Sequence, residues 1–332
     1  MTATTVHSVS FRPSVELVVL GASLAAALVF SATVNGFATP SNFENLVRNS
    51  SPLLILSCAM GVVVIGRGLD LSLIAAMTAV TSVFGILILG DHSAGVALGS
   101  AIATAVALGL FNGWLIAYAE IPALLATLAT ALFFTGIGRW GILQGEFLLL
   151  LPKDHSLIAY MSGGSLFGVP FPIAAAAFVV LVTWAFLSGT GFGRTVYALG
   201  DNHATARLSG LPVRQTTLVV FVFATLAATA AGLLIASASG TVDFRTVSNG
   251  TLLFEVIMVV VLGGISLRGG RGGILSILAG VALISVMRNG MTLMDLSTQV
   301  QALVKGLILI IAIVLDNHFN PRDPETDTVG DL

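Results

Sequence analysis

The sequence predicts an all-α polytopic integral membrane protein with about ten transmembrane helices and cytoplasmic N- and C-termini. Three observations carry that expectation. The chain is 56% hydrophobic and 9% charged, where a soluble domain carries about 25% charged residues. Its mean hydropathy is +1.01, and 14 Lys+Arg against 16 Asp+Glu in 332 residues cannot coat an aqueous exterior. Apolar runs near the length of about 20 residues that a bilayer core demands also recur along the chain.

Taken in order, the first run is Val15 to Phe37. It is too long for a signal-peptide core, and Met1 to Ser10 lacks a basic n-region, so a retained helix is expected after a cytoplasmic segment, residues 1–14. Ser51 to Gly66 and Leu71 to Gly90 follow, parted only by Gly66-Arg67-Gly68-Leu69-Asp70-Leu71-Ser72. Glycines there permit a tight cytoplasmic hairpin or a helix broken beside a transport path. Arg67 and Asp70 would pair at i,i+3 if the segment were helical.

Ala94 to Ala119 contains Gly109-Leu-Phe-Asn-Gly113, a row of small residues suited to close helix packing, and Asn112 is a central polar group placed to hydrogen-bond between helices. Pro122 to Leu143 ends in Gly136-Ile-Gly138-Arg-Trp-Gly141. The spacing G-x-G-x-x-G marks a dinucleotide fold only after a strand, so here it reads as helix packing or termination. The remaining expected spans are Pro170 to Leu187, Thr216 to Ser237, Thr251 to Ser266, Gly272 to Met287 and Gln299 to Leu315. Gly272, Ser276 and Gly280 form a second small-residue row. Several runs are short enough to require tilt or partial re-entry. Residues 15–316 thus form one transmembrane domain, and residues 317–332 form an acidic, solvated tail.

Sidedness follows from the cations. With ten spans and an internal N-terminus, Arg12, Arg67, Arg194, Arg207, Arg214, Arg268, Arg271 and Arg322 fall inside, against Arg48, Arg139, Lys153, Arg245 and Arg288 on the other face. Lys305 lies a short way into the last span. Two longer connections remain: Gln144 to Val169 outside and Ser188 to Gln215 inside.

Composition and motifs exclude several functions. A formal net charge of -2 without a basic stripe rules out a nucleic-acid binder that neutralises phosphates. Neither lysine, Lys153 or Lys305, follows glycine, so there is no P-loop. No H-E-x-x-H or Cys/His spacing occurs, and Cys58 is the single cysteine, a small packed residue in an apolar run. No cofactor or metal is expected in this chain, and no enzymatic activity.

The strongest local feature is the internal segment from Gly191 to Arg214. Asp201 or Asn202 can N-cap a short helix through Ala206, Arg207 and Leu208, with Ser209 and Gly210 ending it and Pro212 beyond. Its few exposed Ala and Leu side chains suit a groove on a partner. Glu255 and Lys305 are ionisable groups within apolar spans, read either as snorkelling residues or as part of a path. Arg48, Asp243, Arg245 and Arg288 cluster near the outer face as candidates for docking an external protein.

From about Asn42 to Asp316 the chain resembles the permease subunits of bacterial ABC sugar importers of the ribose, xylose and arabinose type. The family pattern Gly-Gly-Ile-Asp-Leu-Ser-Val-Gly is matched by Gly66 to Ile74, with Asp70 and Ser72 kept; Arg67 and the loss of the later glycine are departures. Asn112-Gly113, Ile121-Pro122-Ala123, Thr127-Leu128, Phe192-Gly193-Arg194 through Gly200, Asn202, Ala206-Arg207, Ser209-Gly210 and Val213, Gly263 to Gly272, Asn289-Gly290 and Lys305-Gly306 follow in order, and Glu255 stands where the family has Asp.

The resemblance implies a passive half-pore in the bacterial inner membrane for a monosaccharide or related polyol. Its partners would be a second permease copy or paralogue, an ATPase with two nucleotide-binding domains that holds ATP and Mg, and a periplasmic or lipid-anchored sugar-binding protein. The helix from Asn202 to Leu208 would be the coupling helix, and Gly68, Asp70, Ser72, Asn112 and Glu255 the pore or helix-break candidates. Two rivals make different demands: an ion-coupled secondary transporter needs ionisable groups at midplane, and a non-transporting scaffold or receptor needs none.

Overall fold

The structure, a computed structural model, describes residues 14–319. Arg12, Arg322, residues 1–13 and the acidic tail beyond Phe319 lie outside the described residues.

The chain runs through α1 (Val15–Thr33), α2 (Pro40–Ile65), α3 (Leu73–Leu89), α4 (Ala94–Ala117) and α5 (Ala123–Gly136), which passes directly into a π-helical turn, Ile137–Ile142. Then come β1 (Leu148–Leu150), α6 (Ser156–Gly163), the hairpin β2 (Ser165–Leu166) and β3 (Val169–Pro170), and α7 (Phe171–Gly189). α8 (Gly191–Asp201), α9 (His203–Leu208), α10 (Val213–Ser239), β4 (Thr241–Asp243), α11 (Arg245–Asn249), α12 (Thr251–Leu262), α13 (Ile274–Leu293) and α14 (Thr298–Phe319) complete it. Among the described residues seven helices are long and apolar enough to cross a membrane: α1, α2, α4, α5 with its π turn, α7, α10 and α13. Three apolar helices are shorter: α3, α12 and Thr298–Ile311 of α14.

Three helices, α2, α3 and α10, form the centre of the core. α2 is buried along almost its whole second half, from Leu53 to Ile65, and α10 packs against it, α3 and α4. The small-residue row of α4 brings two backbones into contact: a Cβ on Gly109 would lie 2.6 Å from Val222 Cα, and one on Gly113 2.8 Å from Leu218 Cα. α1 is peripheral and lies against α13.

α2 begins eleven residues before the expected Ser51. Thr39 caps it, its hydroxyl oxygen accepting from Asn42 N at 3.3 Å, and Pro40 stands in the first turn, where its missing N–H costs nothing. Pro52 sits inside the helix without ending it. Arg48 consequently lies on a helix rather than in an outer loop.

The expectation of helices alone also needs correction, because four short strands join the connections at one end of the bundle. β1 pairs antiparallel with β4, Leu149 opposite Val242, and β2 pairs with β3. The long α5–α7 connection and the α10–α11 connection run side by side there, and pairing satisfies backbone groups that would otherwise be partly withdrawn from water. The G-x-G-x-x-G spacing falls on the π turn, after a helix and not a strand. Gly138 is a packing position: a Cβ there would lie 2.3 Å from the ring of Phe244.

Candidate translocation path and coupling face

Between α2 and α3 the backbone is not helical from Gly66 to Ser72, and Arg67 takes φ 64. The helical premise of an Arg67–Asp70 pair therefore fails. Asp70 turns instead onto Ser72: its Oδ1 accepts from Ser72 N at 2.9 Å and from Ser72 Oγ at 2.6 Å. Ser72 Oγ in turn accepts from Asn112 Nδ2 at 2.7 Å, which bonds α4 to the break as the position of Asn112 predicts. All three side chains are buried, with 0–1% exposure. Thr127 adds α5 to the network, its hydroxyl shared between Leu69 O at 2.9 Å and Ala123 O at 2.8 Å. Asp70 Oδ2 and Asn112 Oδ1 accept no hydrogen bond among the described residues. The break is thus an ordered, buried polar node joining three helices, in surroundings where each unmade hydrogen bond is costly.

The end of α2 is clasped by two glycine-bearing segments. Gly270 N donates to Ile65 O at 2.8 Å, supplying the donor that a helix C-terminus lacks. A Cβ on Gly200 would lie 2.0 Å from Ile65 O and 2.2 Å from Gly270 N, so the α8 backbone touches both. Tyr197 Oη donates to Gly272 O at 3.0 Å and fastens α8 to the same loop; burial pushes its phenol pKa up.

α8 leads straight into α9. Asn202 is the N-cap, its Oδ1 accepting from Thr205 N at 2.9 Å, whereas Asp201 is the last residue of α8. Of the two caps the sequence allows, the structure takes Asn202. Ser209 is the C-cap, and Gly210 stops the helix at φ 73. Ala206 is buried against Leu199 and Val213, contrary to its expected exposure, so Leu208, at 89% exposure, is the large apolar side chain α9 presents. Arg207 Nη1 stands 3.8 Å from Glu120 Oε1, and Arg214 Nη2 is 3.1 Å from the same oxygen, tying the α4–α5 connection to this face.

Glu255 is not beside the break. It forms a separate cluster with Lys305, whose Nζ is 3.4 Å from Glu255 Oε1, and with Arg288, whose Nη1 is 3.8 Å from that oxygen. Glu255 and Lys305 have side-chain exposures of 8% and 11%, so they pair with each other rather than snorkel to water. Arg288 also donates to Asn49 O at 2.9 Å. Close by, Asn42 and Asn289 bond reciprocally at 2.9 and 3.0 Å, holding α2 to α13.

The docking candidates occupy the β1–β4 end but not one patch. Arg48 is half-buried and donates to Ser162 O. Asp243 and Arg245 form an exposed pair at 3.2 Å where β4 meets α11, and Arg288 is committed to Glu255 and Asn49. Sequence reasoning placed none of Glu120, Thr127, Tyr197 and Gly200 among the site residues, Thr127 and Gly200 entering only as matches to the family pattern. Each acts through a partner distant in sequence, which no local pattern signals.

Among the described residues no three His, Cys, Asp or Glu side chains converge as a metal cage would require. Seven long apolar helices gathered around a buried polar break define a multi-pass membrane protein.

Comparison with known proteins narrows the class. Residues 42–313 match the family described as "Branched-chain amino acid transport system / permease component", and the chain belongs to it. It is 31% identical over 300 residues to the ribose import permease protein RbsC of Escherichia coli (strain K12), which covers 89% of this chain and 92% of that protein. It is also 31% identical over 302 residues to the L-arabinose transport system permease protein AraH of the same strain, covering 91% and 89%. Identity to the ribose import permease protein RbsC of Bacillus subtilis (strain 168) is 31% over 283 residues, covering 84% and 86%. No solved structure matches the chain.

Proposed function

We propose that this chain is the membrane half-pore of an ATP-driven importer for a monosaccharide or related polyol, seated in the bacterial inner membrane. Its similarity to ribose and L-arabinose permeases over most of both chains supports the substrate class. The seven long and three short apolar helices would make ten crossings, with both termini in the cytoplasm. A second copy or a paralogue completes the pathway. A separate ATPase with two nucleotide-binding domains holds ATP and Mg, and a periplasmic or lipid-anchored sugar-binding protein delivers the sugar to the outer face near Asp243 and Arg245.

The observation that carries this reading is the geometry of α9. A capped helix with Leu208 outward and Ala206 packed inward is a rigid plug for a groove on a partner. Gly200 and Gly270 connect it to the end of α2, one residue before the Gly66 to Ser72 break. Displacing α9 on ATPase closure would therefore shift the backbone next to Asp70, Ser72 and Asn112, biasing one helix packing against another.

The test is uptake of labelled ribose, arabinose and xylose by a strain lacking this chain and complemented with it. Import restored by the wild type and abolished when the ATPase is inactivated supports the reading; import unaffected by loss of the ATPase contradicts it.

A further inference from the structure

An apolar groove of about 530 Å³ runs between α4 and α10 on the outside of the bundle, lined by Ala107, Leu110, Phe111, Trp114, Tyr118 and Leu218. Trp114 and Tyr118 are 52% and 45% exposed, amphipathic rings of the kind that mark a membrane interface. At the Tyr118 end the groove meets charge. Arg214, one turn before Leu218 on α10, holds its guanidinium carbon 5.3 Å from the Tyr118 ring centroid. Arg214 and Arg207 together face a single carboxylate, Glu120, so one positive charge is left over where the groove ends.

We infer that this groove is a binding site for an anionic glycerophospholipid, one acyl chain lying along Leu110, Phe111 and Trp114 and the headgroup phosphate meeting Arg214 and Arg207. The apolar lining selects a hydrocarbon chain, and the surplus guanidinium charge selects an anionic over a zwitterionic headgroup. Glu120 competes with the phosphate for both arginines, which gives the site a signature that a structural ion pair lacks. Removing either partner of a structural pair acts in one direction, whereas here Glu120 and Arg214 act in opposite directions.

The experiment uses the full chain purified in mild detergent, exchanged into micelles containing equal phosphatidylglycerol and phosphatidylethanolamine, with retained lipid read by native mass spectrometry. The wild type should retain phosphatidylglycerol preferentially. Arg214→Gln should lower that retention about fivefold, the equivalent of one basic residue at a membrane surface, and Glu120→Gln should raise it. Ala107→Trp, which fills the groove and leaves both arginines in place, should lower retention as well. Equal retention of the two lipids by the wild type, or a fall in both Arg214→Gln and Glu120→Gln, overturns the inference. Thermal unfolding of each variant separates loss of lipid from loss of fold.

Discussion

Ser72→Ala is the most informative single change to the break between α2 and α3. Ser72 Oγ donates to Asp70 at 2.6 Å and accepts from Asn112 at 2.7 Å, so the substitution deletes two hydrogen bonds at once. Asp70 Oδ1 keeps the Ser72 backbone N–H at 2.9 Å and loses about 1 kcal/mol. Asn112, with 0% exposure, is left with an unpaired amide donor, at about 1–3 kcal/mol. The sum, roughly 2–4 kcal/mol, is large against the marginal stability of a folded chain. In Ser72→Ala/Asn112→Ala the stranded amide is gone, so the double variant should cost less than the two single variants added, by roughly 1–3 kcal/mol. Denaturant titration in mixed micelles measures the cycle, and sugar uptake per membrane-inserted copy follows function in parallel. Additivity within about 0.5 kcal/mol would refute the chain of bonds from Asn112 to Asp70.

Three further outcomes are expected. Glu255→Gln leaves Lys305 buried without its countercharge and should cost about 3–5 kcal/mol, seen as reduced membrane abundance, while Glu255→Gln/Lys305→Met should recover most of it. Gly200→Ala forces a methyl group to within 2.0 Å of Ile65 O and should abolish uptake; uptake preserved at wild-type level would show that the clasp between α8 and α2 is not needed for transport. Arg245→Glu sets like charges at the exposed Asp243 pair, so stability should change by less than about 1 kcal/mol. Capture of the external sugar-binding protein should weaken in that variant, and unchanged capture would remove this corner from the docking surface.

What the sequence makes legible here is what depends on neighbours along the chain. The cap of α9 is visible because Asn202, Thr205 and Gly210 lie within one short segment and their roles follow from backbone geometry. Close packing at Gly109 and Gly113 is visible from the spacing of small residues. The start of α2 is hidden because Glu44, Asn45 and Arg48 resemble a polar loop, although Thr39 and Pro40 carry the start signal. Partnerships across sequence are hidden more deeply: Glu255 meets Lys305 fifty positions on, and Glu120 meets Arg214 ninety-four positions on. Of the two readings of Lys305, snorkelling gives way to a buried pair because helix rotation, which hydropathy does not fix, decides which side chains face each other.

The most direct measurement is affinity purification of the tagged chain from native membranes in mild detergent, with every copurifying chain identified, for the wild type and for Leu208→Asp. Leu208 is 89% exposed, so its replacement should change stability by less than about 0.5 kcal/mol and leave membrane abundance at the wild-type level. The proposed coupling predicts that the wild type brings down an ATPase bearing P-loops and that Leu208→Asp, equally abundant, does not. Recovery of the wild-type chain without an ATPase, repeated after cross-linking, or equal recovery of the ATPase by both forms, would contradict it.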